Sequence, residues 1–318
     1  MKYDVVALGE LLIDFTYCGK SEQGRTLFEQ NPGGAVANVL SAVAHLGGSS
    51  GFIGKVGADM HGEFLRKFLS ENGISTEGLV LDKKFFTTLA FVNLAENGER
   101  SFSFARKPGA DTQLEIKDVP VKMIAESSVF HFGSLSLTDE PSKSATLYAL
   151  KVAKENGITI SYDPNYRAAL WTDAETAKRE MRSVLPFADI IKISDEEMEL
   201  LTDCNNAEAA SKKLLDMGIH CVIITMGADG ALVRTRDGVI TALAQKAKVV
   251  DTTGAGDAFM GSFLYKMTAD KCKPELLTMK DTTEYARFAN ATAALCIGSR
   301  GAVMPTRTAV MELLKEEL

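Results

Sequence analysis

The segment Asp251–Phe259, DTTGAGDAF, places a glycine-rich turn and a carboxylate at the start of a predicted helix. The preceding residues Lys248–Asp251 predict a strand, and Gly256–Met267 predicts the helix. Glycines at such a junction leave backbone N–H groups exposed at the helix N-terminus, where they bind a multiply charged anion. Asp257 could accept a proton from an attacking hydroxyl while those N–H groups hold a phosphoryl group. The alternative is a tight turn with an acidic first helical turn, and the segment alone does not decide between the two.

The composition is that of a folded globular chain without a basic face. The chain has 318 residues and a formal net charge of −7, with 46% hydrophobic and 24% charged residues. That is enough to bury a sizeable core, and the acidic balance argues against a nucleic-acid partner. The five cysteines form no CxxC pair, and no apolar run reaches the length of a membrane span. We therefore expect a cytoplasmic protein without a nucleic-acid or membrane partner.

An alternation of strands and helices must position the glycine-rich turn. Apolar runs predict strands within Tyr3–Phe15 and Ser50–Gly57, and apolar residues at helical spacing predict a helix within Val36–Leu46. The alternation returns after Val129, so we expect a doubly wound, mainly parallel α/β sheet. Since no repeat or long linker interrupts the pattern, residues 1–318 are predicted to form one domain.

A predicted β-hairpin interrupts this pattern. Residues Lys83–Gly109 alternate apolar and polar side chains around a turn signal at Glu96–Gly98. The segment Phe15–Gln30 has no helical period, so we expect it to pair with the hairpin. Together they predict a small β-sheet, formed by about residues 15–31 and 84–109, that serves as a lid.

Two long motifs resemble the signature regions of the ribokinase-like (PfkB) carbohydrate kinases. They are DTTGAGDAF at Asp251–Phe259 and PGGAVANVLSAVAHLGG at Pro32–Gly48, and the resemblance extends from LGELLIDF near the N-terminus to SRGAVMPT near the C-terminus. It implies a three-layer α/β/α sandwich with a small β-sheet lid, and ATP-dependent phosphorylation of a sugar hydroxyl. It also assigns the catalytic base and the anion hole, which are Asp257 and the backbone N–H groups of Gly254, Ala255, Gly256 and Asp257.

The same resemblance implies a sugar pocket. A short carboxylate at a strand end suits paired hydroxyl groups, and glycines allow close approach of the backbone. Ligands also bind beyond the carboxyl ends of parallel strands. Simpler alternatives are a strand-end cap, a loop before a helix and a solvated loop arginine. The predicted sugar-binding residues are Asp14, Gly33, Gly34, Asn38, Arg106, Asn165 and Arg167.

The resemblance also implies nucleotide and Mg²⁺ sites, which rest on shorter motifs. Many members of the family carry N-x-x-E near the metal, and this chain has Ser194 in place of the asparagine, with Glu197 at the matching spacing. Glu197 is therefore expected to reach Mg²⁺ through water, and the alternative is an acidic first helical turn. The predicted nucleotide-side residues are Lys192, Ser194, Thr225, Gly227, Gly230 and Asn290, the last beside adenine.

The family resemblance also implies a monovalent cation, K⁺, beside the anion hole. Asp251 and Thr253 match the positions that help to hold it. Main-chain oxygens of the loop after the last long predicted helix complete the expected ligand set, namely those of Ile297, Arg300 and Ala302.

The segment SYDPNYRAALW at Ser161–Trp171 addresses the identity of the sugar. Its D-P-N-x-R-x-x-L-W pattern resembles bacterial and plant fructokinases, so we expect ATP and D-fructose as substrates, with phosphorylation at O6. Three alternatives stay open: a 2-keto-3-deoxygluconate kinase, an aminoimidazole riboside kinase, and a sugar-binding homologue without catalysis. The resemblance also allows a homodimer through the lid.

Overall fold

The computed structural model describes residues 1–94 and 100–315. Its strands are β1 (Tyr3–Leu8), β2 (Leu12–Lys20), β3 (Thr26–Gly33), β4 (Ser50–Gly57), β5 (Ile74–Asp82), β6 (Leu89–Leu94), β7 (Arg100–Ala105), β8 (Ser127–Gly133), β9 (Thr159–Asp163), β10 (Ile190–Ser194), β11 (Cys221–Thr225), β12 (Ala231–Arg234) and β13 (Val239–Ala242). Its helices are α1 (Ala35–His45), α2 (Met60–Glu71), α3 (Val121–Ala125), α4 (Ser142–Glu155), α5 (Ala174–Ser183), α6 (Met198–Thr202), α7 (Ala207–Asp216), α8 (Ala255–Ala269), α9 (Met279–Cys296) and α10 (Arg307–Lys315).

Nine of these strands form one large sheet in the order β13-β12-β11-β10-β9-β8-β1-β4-β5. The strands from β11 to β5 pair in parallel, and the hairpin of β12 and β13 adds an antiparallel edge. The chain passes from β1 to β4 and β5 on one side and later to β8 on the other side. The strand order therefore reverses beside β1, and such a point opens a crevice for ligands beyond the carboxyl ends of the strands.

The large sheet is buried on both faces, which explains its almost continuous apolar strands. Alternate residues of β1 point to opposite faces: Val5 packs in the core cluster that includes Phe263 of α8, and Val6 packs in the cluster that includes Leu150 of α4. These two cores make the three-layer sandwich, and the predicted fold class is confirmed. Within the described residues, no helix combines the length and apolar character that a membrane crossing requires.

Four strands form a separate small sheet in the order β3-β2-β6-β7. Strand β2 pairs antiparallel with β3 and parallel with β6, and β6 pairs antiparallel with β7. The predicted pairing of the N-terminal segment with the hairpin is therefore confirmed. The predicted turn at Glu96–Gly98 lies outside the described residues.

The predicted strand at Lys248–Asp251 is wrong. Residues 243–254 contain no strand, and the side chains of Val249 and Val250 are 60% and 52% exposed. The backbone N–H groups of Val250 and Asp251 instead donate to the carbonyl oxygen of Ile297. The apolar pair resembles a strand in sequence, but β13 already forms that edge of the sheet, so this segment runs as an extended loop. Pro32 and Gly33, just before α1, are the last two residues of β3.

Candidate active site

A cleft of about 1000 Å³ lies between the large and small sheets. Its walls come from β2, the start of α1, the segments that follow β9 and β10, and the two loops around residues 250–257 and 300–302. It brings together most of the residues predicted for catalysis and sugar binding. The predicted residues that line it, including those for the nucleotide and the cation, are Asp14, Gly34, Asn38, Asn165, Arg167, Lys192, Asp251, Thr253, Gly254, Ala255, Gly256, Asp257, Arg300 and Ala302.

The N-terminus of α8 forms one wall of the cleft. Gly254 precedes the helix in the left-handed conformation, with φ 80° and ψ −1°. A Cβ placed on it would lie 2.5 Å from the Cβ of Ala302, so only glycine fits this turn. Among the described residues, no side chain caps this helix, and its first N–H groups have no intrahelical partners. The N–H of Ala255 donates to the carbonyl oxygen of Thr252 at 3.3 Å, and the other first N–H groups of the helix are suited to bind an anion.

Asp257, in the first turn of α8, is only 9% exposed. Its Oδ2 accepts a hydrogen bond from Nδ2 of Asn38 at 2.8 Å. Burial, followed by the charge of Asp163, raises the pKa of Asp257 to about 6, although Asn38, Lys192 and Arg167 oppose the shift. A carboxylate with this pKa is ionised near neutral pH and is more basic than an ordinary aspartate, which suits a general base.

Asp14 lies on β2, across the cleft from α8. Burial raises the pKa of Asp14 to about 6, with Arg167 opposing the shift and the charge of Asp257 adding to it. Gly33 is next to it on β3, and a Cβ there would lie 2.3 Å from Oδ2 of Asp14. Gly33 therefore contributes by leaving room for this carboxylate, and it does not itself line the cleft.

The next residue, Gly34, has a positive φ of 118°. A Cβ on it would approach the carbonyl oxygen of Glu10 to 2.4 Å. This close passage of two backbone segments brings the start of α1, and with it Asn38, against the end of β1. The predicted glycine requirement has a structural reason at each of the two positions.

Asn165 and Arg167 follow β9 directly. Asn165 adopts a left-handed conformation with φ 46°, which is rare for a residue other than glycine and concentrates at functional sites. Arg167 is exposed in the cleft, and its charge opposes the rise in pKa of both Asp14 and Asp257. The guanidinium is therefore placed near both carboxylates and available to an anionic ligand.

Three sequence predictions about contacts with ligands are corrected. Arg106 is buried outside the cleft lining, where it donates to Oδ2 of Asp111 at 2.7 Å and to the carbonyl oxygen of Leu135 at 2.9 Å. Asn290 donates to the carbonyl oxygens of Ala242 and Leu243, so its NH₂ group anchors the end of β13 and not adenine. Both polar groups are enclosed by the fold, and buried donors are satisfied by protein acceptors.

The third correction concerns Ile297. Its carbonyl oxygen, predicted to bind a cation, accepts the N–H groups of Val250 and Asp251 at 2.8 and 3.2 Å. The Asp251 carboxylate accepts from the N–H and hydroxyl groups of Thr253 and from the N–H of Gly301. These bonds join the two loops that flank the N-terminus of α8, so Asp251 and Thr253 stabilise the backbone around the start of this helix.

The predicted nucleotide residues divide into two groups. Lys192 lines the cleft and is ion-paired with Asp163, with 2.7 Å between Nζ and Oδ2. Thr225, Gly227 and Gly230 form the turn between β11 and β12, outside the cleft lining. A Cβ on Gly230 would lie 2.1 Å from the carbonyl oxygen of Ala242, so this glycine is needed for the turn itself.

The residues of the predicted metal motif, Ser194 and Glu197, form hydrogen bonds within the protein. Ser194 and Glu197 form a reciprocal cap in which Oε2 of Glu197 accepts both the N–H and the hydroxyl of Ser194. Oε1 of Glu197 accepts the N–H of Tyr166 at 2.7 Å. The neighbouring Glu196 is exposed and lines the cleft.

Sequence reasoning missed Glu10, Asp163 and Glu196. Glu10 is 3% exposed and its Oε1 accepts the N–H of Ala35 at 2.7 Å, so it caps α1 from the end of β1. Burial raises the pKa of Glu10 to about 7. The position of Glu10 just after a strand was a weak signal, but nothing in the local spacing identifies the helix that it caps.

The chain matches the family model described as "pfkB family carbohydrate kinase" over residues 2–309. It therefore belongs to that family and is an ATP-dependent sugar kinase, which confirms the predicted class. Among curated relatives, it is 42% identical to "Probable fructokinase-6, chloroplastic" of Arabidopsis thaliana, covering 98% of this chain and 82% of that protein. It is 41% identical to "Fructokinase-1" of Oryza sativa subsp. japonica, covering 98% and 97%.

Solved structures agree with this assignment. Fructokinase with bound ATP from Xylella fastidiosa is similar to it with a TM-score of 0.91 and 32% identity, over 100% of this chain and 99% of that one. Fructokinase from Vibrio cholerae O395 with fructose, ADP and calcium ion gives 0.88 and 32%, over 99% and 100%. Aminoimidazole riboside kinase from Salmonella enterica, complexed with aminoimidazole riboside and an ATP analog, gives 0.83 and 31%, over 98% and 99%.

Proposed function

We propose that this chain transfers the γ-phosphoryl group of ATP to O6 of D-fructose, with Asp257 as the general base. The observation that carries the proposal is the meeting in one cleft of a buried carboxylate, Asp257, with a helix N-terminus that no described side chain caps and a second carboxylate, Asp14. The names of the curated relatives, and the fructose and ADP in the Vibrio cholerae structure, support fructose as the acceptor.

The residues of the cleft divide the work of the reaction. Asp14 accepts hydrogen bonds from sugar hydroxyls, and Asn38 holds Asp257 in position through its 2.8 Å hydrogen bond. Asp257 takes the proton of the attacking hydroxyl as that oxygen bonds to phosphorus and ADP leaves. The N–H groups at the start of α8, from Gly254 to Asp257, stabilise the charge on the transferred group.

Mg²⁺ would accompany ATP and neutralise charge on its phosphate oxygens. Glu197 uses both oxygens in hydrogen bonds to the protein, but a carboxylate has about four acceptor sites. It can therefore still accept a metal-bound water, and Glu196 in the cleft is a second candidate. If Glu197 holds that water, Glu197→Gln raises the Mg²⁺ concentration needed for half-maximal rate, and Glu196→Gln does not.

A monovalent cation, K⁺, would bind near the loops joined by Asp251 and Thr253. The main-chain oxygens of Arg300 and Ala302 stay candidate ligands, because both residues line the cleft beside these loops. The oxygen-rich setting suits a hard cation. Rates measured in K⁺ against tetramethylammonium at equal ionic strength test this: equal rates would exclude activation.

The small sheet is proposed to act as a lid that closes over the sugar and as the face of a homodimer. Phe28 and Phe91, which contact each other edge to face at 5.8 Å, are 41% and 36% exposed on it. Light scattering should show a dimer that Phe28→Ser weakens; a monomeric parent protein would exclude the dimer. We place the enzyme in the cytoplasm, since all five cysteine thiols are unpaired.

Aminoimidazole riboside is the competing acceptor, because its kinase is similar over almost the whole chain. ADP release coupled to NADH oxidation, with a panel of fructose, aminoimidazole riboside, 2-keto-3-deoxygluconate and ribose, separates the candidates. We expect the highest kcat/KM with fructose. Strong turnover of another acceptor with none on fructose would overturn the sugar assignment, and no turnover on any acceptor would indicate a binding protein.

A further inference from the structure

Four buried polar side chains lie in a row on one face of the large sheet. His131 is opposite Ser161 across β8 and β9, and Ser161 is opposite Ile190 across β9 and β10. Two residues further along, Asp163 and Lys192 face the same side, since side chains alternate along a strand. All four are at most 5% exposed, with 2.9 Å between Nδ1 of His131 and Oγ of Ser161. The row ends at the cleft, in the ion pair of Asp163 and Lys192.

The ammonium group of Lys192 lies against the N-terminus of α8. A Cβ placed on Gly256 would be 3.1 Å from Nζ of Lys192. A cation next to a helix N-terminus is unfavourable, because the helix dipole is positive there. Asp163 compensates for it, with 2.7 Å between Oδ2 and Nζ. The Lys192 ammonium group and the positive end of the α8 dipole thus lie together in the cleft, and both attract an anion.

Asp163 is not saturated with hydrogen bonds as a purely structural carboxylate would be. Its Oδ1 is buried and has no hydrogen-bond partner within the described part of the chain. Nearly all buried polar atoms have a partner, so an exception calls for a reason other than stability. The Lys192 ammonium has three donors, of which one binds Asp163.

We propose that Asp163 is a positioning residue that holds the Lys192 ammonium against α8, where Lys192 binds the phosphoryl group during transfer and supports the ionised form of Asp257. This inference rests on the proposed function. The phosphorus–oxygen bond to ADP breaks and a bond to the sugar oxygen forms while the proton passes to Asp257. Lys192 supplies charge and donors and exchanges no proton.

Asp163 and Lys192 shift the pKa of Asp257 in opposite directions. After burial, the Asp163 charge raises the pKa of Asp257, and Lys192 and Arg167 lower it. Removing Lys192 therefore raises this pKa, and removing the charge of Asp163 lowers it. The groups that face Asp257 come from β2, from α1, from β9 and the segment after it, from β10 and from α9. In that order they are Asp14, Asn38, Asp163 with Arg167, Lys192 and Cys296.

The test measures kcat against pH for Lys192→Met, Asp163→Asn and the double variant, on whichever acceptor the parent enzyme phosphorylates. We expect kcat to fall roughly 10²–10³-fold for Lys192→Met and at least about tenfold for Asp163→Asn. The acidic limb of the profile should move up by roughly one pH unit for Lys192→Met and down for Asp163→Asn. The double variant should have a low kcat like the single variants, and the acidic limb of its pH profile should lie between theirs.

Lys55 provides a matched control. It lies on β4 of the same sheet, is 4% exposed, and pairs with Asp118 at 2.7 Å, away from the cleft lining. Lys55→Met should lower the melting temperature without moving the acidic limb. The proposal is overturned if Lys192→Met behaves like this control, or if both single variants move the limb in one direction. Failure on fructose alone would contradict only the sugar assignment, since the pH test uses the acceptor that works.

Discussion

Asp257→Asn should make the protein more stable at pH 8 while it removes most of the activity. Burial raises the pKa of Asp257 from 3.8 to about 6 in the folded protein. A carboxyl group with a raised folded pKa contributes stability that is fully present below its unfolded pKa and is lost as the pH rises through about 6. Above that pH, the buried charge costs about 3 kcal/mol, from about two pKa units at about 1.4 kcal/mol each.

Asparagine removes that cost and can still accept the hydrogen bond from Asn38 through its side-chain oxygen. Denaturation by urea should therefore show a gain of up to about 3 kcal/mol at pH 8 that shrinks towards zero near pH 4. In the same protein, kcat should fall roughly 10²–10⁴-fold because the general base is gone. Sugar affinity measured by calorimetry should change little.

Asp59→Asn is a control of opposite sign. Burial alone would raise the pKa of Asp59, but hydrogen bonds from Thr87, Gly62 and His61 outweigh it and lower that pKa. Its ionised form therefore stabilises the fold at pH 8, and the variant should be less stable there. The reasoning about Asp257 is refuted if Asp257→Asn is destabilised at pH 8 like this control, or if it keeps kcat within tenfold of the parent.

Three further outcomes follow from the contacts around the cleft. Gly33→Ala should raise the sugar KM at least about tenfold with little change in melting temperature, because its Cβ displaces the Asp14 carboxylate. Gly34→Ala should lower the free energy of unfolding by about 1–3 kcal/mol, and the melting temperature with it, because its Cβ clashes with backbone at a positive φ. Equal melting temperatures for the two would contradict this. Arg106→Met should cost about 3–5 kcal/mol by leaving Asp111 buried without its cation, while the sugar KM of the folded protein stays unchanged; a large rise in KM would restore the predicted sugar contact. Fructose should slow hydrogen exchange in β2, β3, β6 and β7, and no change there would exclude closure of the small sheet.

The sequence predicted the elements whose signal is local. Strand β4 is a continuous apolar run, and helix α1 has its apolar residues at helical spacing before a pair of glycines, so both were found with nearly correct ends. The turn before α8 could also be predicted, because glycines favour tight turns and an acidic residue is stabilised in the first turn of a helix. The nine-residue segment therefore predicts the turn and the helix start, whereas the role of Asp257 needed the family resemblance that the motif at Pro32–Gly48 adds.

Contacts between distant segments could not be predicted in this way. Whether Arg106 reaches the sugar or Asp111 depends on how the small sheet meets the large one, and whether Asn290 faces a ligand depends on where β13 ends. The pair of Asp163 and Lys192 depends on the register of β9 and β10. A single sequence contains no local signal for these registers. Sequence analysis therefore predicts ligand contacts for Arg106 and Asn290, whereas both side chains form hydrogen bonds within the protein.

Identification of the phosphorylated product tests the central claim most directly. Fructose, ATP and Mg²⁺ are incubated with the protein, and the product is analysed by ³¹P and ¹³C nuclear magnetic resonance. We expect a single phosphate ester, at O6 of fructose, formed in amounts equal to the ADP released. An ester at O1, or no ester on fructose under conditions in which another sugar is phosphorylated, would contradict it.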